Sequence, residues 1–148
     1  MSLRELAVKP KSKKKGKRNR RLTSDESKRI RSQGYRAERD LVKKLRVNGF
    51  KAVRIPVSAP SSEPLPDVFA TKGDCVFAFE VKATSADKVY FRQEQVEKLF
   101  SFLGMFEVYE KKAAVLACKF PYKWVLKHVD EAGDYVVRND EKSTMAIV

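Results

Sequence analysis

Histidine and cysteine are nearly absent from this chain, which removes several kinds of chemistry at once. The one histidine among 148 residues, His128, is too solitary for a nucleophilic triad or a zinc site. The two cysteines, Cys75 and Cys118, each fall inside an apolar, strand-like run. With no second Cys or His at ligand spacing, they read as core thiols, not as a disulfide framework or metal ligands. Long hydrophobic runs are missing too. No stretch approaches the length of a membrane span, and no apolar segment follows the basic N-terminus as a signal peptide requires. No internal repeat is visible. The expectation is one soluble intracellular domain, whose 43% hydrophobic residues suffice for a core.

Positive charge is what the chain has in excess, and it is unevenly spread. Residues 1–33 carry 13 Lys/Arg against 3 Asp/Glu, whereas residues 34–148 carry 19 against 16. A basic arm, residues 1–24, thus precedes a nearly balanced domain, residues 25–148, with weak order expected in the last few. Like charges without apolar periodicity should leave the arm disordered when free. Such an arm adds sequence-independent, salt-sensitive affinity for phosphates, or serves as a solubilising tail or address tag.

The hydrophobic pattern predicts a helix capped by Ser24 or Asp25 and stopped at Asn48-Gly49. Its stripe runs through Ile30, Gly34, Ala37, Leu41, Val42 and Leu45, and the same phase turns Glu38 inward. Strands are expected at residues 51–56, 67–71 and 75–83, with a Ser/Pro-rich loop at 57–66. A loop around Ser85–Lys88 leads to a helix from about Arg92 to Met105, with Val96, Leu99, Phe100 and Leu103 on its apolar face. A buried strand at 113–120 and short edge strands at 124–129 and 135–138 complete the order. This is an α/β arrangement, a small mixed sheet flanked by helices.

Asp67, Glu80 and Lys82 carry the chemistry. Residues i and i+2 of a strand leave on one side, so Glu80 and Lys82 project together from the end of an apolar run. Charges there are costly unless paired or bound to a metal. Two carboxylates beside an ammonium can hold a hard divalent cation and activate a water, and Glu38 would bring a third acid. That equipment suits phosphodiester hydrolysis. A Glu-x-Lys pair by itself would more ordinarily be a solvated edge or a cross-strand ion pair.

The text Gly34-Tyr35-Arg36-Ala37-Glu38-Arg39, followed by Gly49-Phe50-Lys51-Ala52-Val53-Arg54, Ser58, Pro66-Asp67 and Glu80-Val81-Lys82, resembles the archaeal Holliday junction resolvases. These are a branch of the restriction-endonuclease-like PD-(D/E)xK nucleases. Tyr90, Gln95, Phe102, Cys118-Lys119-Phe120 and Trp124 extend the likeness, which covers roughly residues 28–130. It implies a restriction-endonuclease-like fold and a homodimer that nicks four-way DNA symmetrically, reading shape more than sequence. It implies Mg2+, with Mn2+ also serving, held by Glu38, Asp67, Glu80 and the Val81 carbonyl. Lys82 would act on the attacking water, and Ser58 would lie near the reaction. Arg36, Arg39, Arg54 and Gln95 match DNA-contacting positions. Phe102 and Phe106, expected to be exposed, match dimer-interface aromatics. DNA-bound cytoplasmic residence follows from the same likeness. The basic arm, and Ala59 where many members have glycine, depart from the pattern. Other readings are a related repair or restriction-type nuclease, and a non-catalytic basic nucleic-acid-binding protein.

Overall fold

The computed structural model describes residues 20–56 and 62–145. Most of the basic arm, the Ser58 loop position and the last three residues lie outside the described residues. The first helix, α1 (Ser24–Val47), is capped by Thr23, not by Ser24 or Asp25. Thr23 Oγ1 accepts from the Glu26 N–H at 3.2 Å, and the Thr23 N–H donates back to Glu26 Oε2 at 2.8 Å. The Thr-x-x-Glu spacing permits this reciprocal cap, which the two residues after it cannot make. Asp25 and Glu26 in the first turn, and Lys44 and Arg46 in the last, complement the helix dipole. Gly49, at φ +86°, turns the chain out of the helix.

The buried face of α1 is Ala37, Glu38, Leu41, Val42 and Leu45. Ile30, expected on that stripe, is exposed, because nothing among the described residues packs over the first turns of the helix. The inward phase of Glu38 is as expected.

Strands β1 (Lys51–Arg54), β2 (Val68–Lys72), β3 (Cys75–Ala83), β5 (Lys111–Phe120) and β6 (Lys123–Val129) form one sheet in the order β1-β2-β3-β5-β6. Only β3 and β5 pair in parallel. A parallel neighbour requires a crossover, supplied by β4 (Lys88–Phe91) and the second helix, α2 (Gln93–Gly104). β4 is a strand that periodicity did not predict. It pairs with β7 (Tyr135–Arg138) in a separate two-stranded sheet, so β7 is not an edge of the main one.

Alternation along β3 splits the interior into two layers. Val76 and Ala78 join Val89, Phe91, Val96, Leu99, Phe102 and Leu103 under α2, while Phe79 and Val81 join Ala37, Leu41 and Leu45 under α1. Both cysteines are free, and burial pushes the Cys118 thiol up to about 12, as suits a core thiol. The C-terminal segment is docked as far as it is described. Leu126 N–H donates to Ser143 Oγ, His128 N–H to Thr144 Oγ1, and Thr144 N–H to the Leu126 carbonyl. The last three residues, where weak order was expected, lie outside the described residues. No helix among the described residues is long and apolar enough to cross a membrane.

Candidate active site

Glu80 sits on the central strand, facing α2 by the parity that places Val76 and Ala78 there. It is only 6% exposed, and its Oε2 has no hydrogen-bond partner. The nearest cation is Lys98 of α2, its Nζ 3.9 Å from that oxygen. Burial raises the proton affinity of Glu80 first, and the charge of Asp67 raises it further. Lys98 and Lys82 oppose the shift without cancelling it, and the carboxyl is pushed up to about 8.

Asp67 is stitched in from both sides. Its carbonyl accepts from the Ile55 N–H and its own N–H donates to the Phe79 carbonyl, each at 2.9 Å. Phe79 is the register partner of Val68, so the ladder slips by one residue here, as in a β-bulge. The slip frees the Val81 N–H to donate to Asp67 Oδ2 at 2.8 Å. Burial raises the Asp67 carboxyl above its ordinary range, opposed by that N–H and by Lys98, Arg54 and Lys82.

Glu38 arrives from α1 and is held by Arg54, whose Nε lies 2.5 Å from Oε2. The Arg54 guanidinium in turn covers the Tyr35 ring at 4.6 Å. Glu38 is also raised, chiefly by burial, against the Arg54 bond and with a contribution from Asp67.

Lys82 is aimed at the β4–α2 corner and forms no ion pair with Glu80. Its Nζ donates to the Tyr90 carbonyl at 2.6 Å and to Gln95 Oε1 at 3.0 Å, and it lies 4.9 Å from the Phe91 ring centre. Burial lowers its proton affinity more than Glu80 and Asp67 restore it. Gln95 Oε1 also accepts the Arg92 N–H at the start of α2, which fixes the amide that holds the lysine.

Asp67 and Glu80 thus share one buried spot with Lys82 at its rim, and Glu38 is close enough to be felt through its charge. The set falls short of a ready-made cage. Among the described residues no three His, Cys, Asp or Glu gather closely enough to hold a metal. Two carboxylates with raised proton affinity, one bearing an unpartnered buried oxygen, nevertheless fit a hard divalent cation that keeps most of its waters. Glu38, already paired, fits that role less well. Val81 is buried, with its N–H committed to Asp67. Ser58 lies outside the described residues. Arg36 and Arg39 are exposed on α1, whereas Arg54 is engaged inside and Gln95 is turned to Lys82. Phe102 is buried, edge-on to Phe69, and so is not the exposed aromatic expected; Phe106 stacks on Phe69 and is half-buried. Lys98 was not foreseen. Its signal was available in the spacing Gln95, Lys98, Leu99, Phe102, which puts the lysine on the inward face of α2.

A family model described as archaeal Holliday junction resolvase (Hjc) matches residues 29–147. The curated crossover junction endodeoxyribonuclease Hje of Sulfolobus acidocaldarius is 46% identical over 112 residues, 74% of this chain and 79% of that protein. Hje of Saccharolobus solfataricus is 44% identical over 112 residues, 74% of this chain and 82% of that protein. The solved structure of Archaeoglobus fulgidus Hjc, a Holliday junction resolvase from an archaeal hyperthermophile, superposes with a TM-score of 0.61 at 29% identity. That match covers 72% of this chain and 88% of the other.

Proposed function

Because the chain belongs to the archaeal Holliday junction resolvase family, we propose that it is an endodeoxyribonuclease that cuts four-way DNA junctions during recombination and repair. The observation that carries this reading is the buried, unpartnered Glu80 oxygen beside Asp67, within the segment that matches the family. A structural carboxylate would be expected to have its hydrogen bonds satisfied.

Asp67 and Glu80, with the Val81 carbonyl, would hold Mg2+, for which Mn2+ would substitute. Bound there, the cation would supply Lewis-acid stabilisation of the phosphate and of an attacking water. Lys82 would orient that water or take its proton. Its lowered proton affinity suits the task, and Gln95 and the Tyr90 carbonyl set its direction. Arg54, fixed between Tyr35 and Glu38, and the exposed Arg36 and Arg39 would face the phosphates. Contacts of that kind read backbone shape and leave base edges unread. Such work would be done on DNA, in the cytoplasm.

A nuclease for linear duplex would use the same residues, but the names carried by the relatives favour the junction. The deciding experiment is cleavage of a synthetic four-way junction beside a matched linear duplex, with and without Mg2+. Asp67→Asn is expected to cut more than about a hundredfold more slowly and to bind the junction nearly as the wild type does. Equal cutting of both substrates would remove the junction claim. Loss of binding together with cutting, in a folded variant, would make Asp67 an organiser of the binding surface instead.

A further inference from the structure

One conformation in the main sheet serves no purpose within it. Strands β5 and β6 are joined through Pro121-Tyr122, with Phe120 paired to Lys123. Tyr122 has φ +61°, the only positive value at a non-glycine among the described residues, and its side chain is fully exposed. A tight turn with proline at its second position favours glycine or asparagine at the third, where φ must be positive. A bulky aromatic there is strained and gains no packing in return. Strain of this kind, kept where stability does not need it, points to use by a ligand.

The surroundings say which ligand. The tip borders a groove lined by Gln33, Arg36, Thr84, Ser85 and Lys119, with no carboxylate in its wall. Lys119 does carry an internal partner, Asp40 of α1 at 2.6 Å. Because β5 runs parallel to β3, the hairpin emerges at the same end of the sheet as Lys82. Lys82 is paired beside Cys118, and Ala83 beside Lys119. Phe120, the last residue of β5, lies two residues past Cys118, about 7 Å farther along at about 3.3 Å per residue, and the turn carrying Tyr122 follows it directly. The groove lies on the α1 face, where Lys119 meets Asp40, at the end of the sheet where Lys82 stands on the other face. A basic, hydroxyl-lined groove there, ending at an exposed aromatic ring, has the make-up of a stacking platform for a nucleic-acid strand.

We propose that Tyr122 stacks on an unpaired base at the branch point of the DNA junction while the groove beside it holds the adjoining phosphates. The proposal rests on the nuclease reading above and gives that site a second contact, one that senses unstacked bases.

The test compares wild type, Tyr122→Gly and Tyr122→Phe on a four-way junction carrying 2-aminopurine at the branch point. Chelator is present so that nothing is cut, and a linear duplex is measured in parallel. Glycine relieves the positive φ, so the Gly variant should melt at the same temperature or higher, and a loss of binding cannot be put down to misfolding. It is expected to bind the junction about tenfold more weakly and to lose the change in 2-aminopurine fluorescence, with duplex binding unaltered. The Phe variant keeps the ring and should keep both signals. Junction affinity undiminished in the Gly variant, or a Phe variant as weak as the Gly one, overturns the proposal. A wild type that fails to prefer the junction over the duplex instead overturns the nuclease reading beneath it, and this proposal with it.

Discussion

A carboxylate oxygen shut away from water and from donors is stable only if it takes up a proton or a cation. Glu80 is such a group, and its stability consequences have a definite sign. Its ordinary value is 4.5 and its folded value about 8. Below about pH 4.5 both folded and unfolded chains hold the proton, so the difference is fully in favour of folding there. As pH rises through the window up to about 8, only the folded chain retains it, and stability is lost progressively. The cation-free protein should therefore melt at a lower temperature at pH 8 than at pH 5. Glu80→Gln should flatten that slope and raise stability near pH 8 by roughly 2 kcal/mol. Mg2+ at pH 8 should raise the melting temperature of the wild type and leave the Gln variant unmoved. Thermal unfolding across pH, in chelator and in Mg2+, measures all three. A wild-type profile that climbs from pH 5 to 8 would contradict this account of Glu80.

The elements differ in how far local sequence determines them. Helix α1, strands β2, β3 and β5, and helix α2 follow from periodicity, because each buries a continuous face that leaves its mark on the chain. The inward turn of Glu38 was legible for the same reason. Strand β7 was legible at 135–138, but its partner was not: β4 and β7 have four residues each and pair only with one another, Lys88 opposite Arg138, fifty positions apart. Nothing within β4 itself announces that partner. The Lys82 contacts to Tyr90 and Gln95 depend on where this small sheet and α2 come to rest, so they too were hidden. The same holds for Phe102, whose burial under Phe69 is a tertiary fact. The cap of α1 was legible in principle, since Thr23 and Glu26 stand at the reciprocal spacing. Thr23→Ala should cost about 1 kcal/mol, lower the melting temperature by a few degrees, and leave junction cleavage unchanged. An unaltered melting temperature would show that the start of α1 does not limit stability.

At the scale of the whole molecule, an apolar strip is left uncovered among the described residues. Val53 pairs with Phe69 across β1 and β2, Phe69 stacks on Phe106, and Phe106 meets Tyr109. Val53, Met105, Val108 and Tyr109 are exposed. We propose that this strip is where two copies meet, since a two-fold interface would set two equivalent centres against a junction with its own approximate symmetry. Sedimentation equilibrium should return twice the chain mass for the wild type and the single mass for Phe106→Glu. A monomeric wild type would end the dimer proposal.

The parallel pairing of β3 with β5 also bears on how the enzyme is born. Every acid and the lysine of the proposed catalytic set precede residue 83, yet the wall that encloses Glu80 includes Leu116 at its side and Lys98 above it. A polypeptide still leaving the ribosome therefore carries its cutting groups before it can assemble them. The nascent enzyme stays unarmed until the strand after its second helix has been synthesised and has slotted in beside the first half.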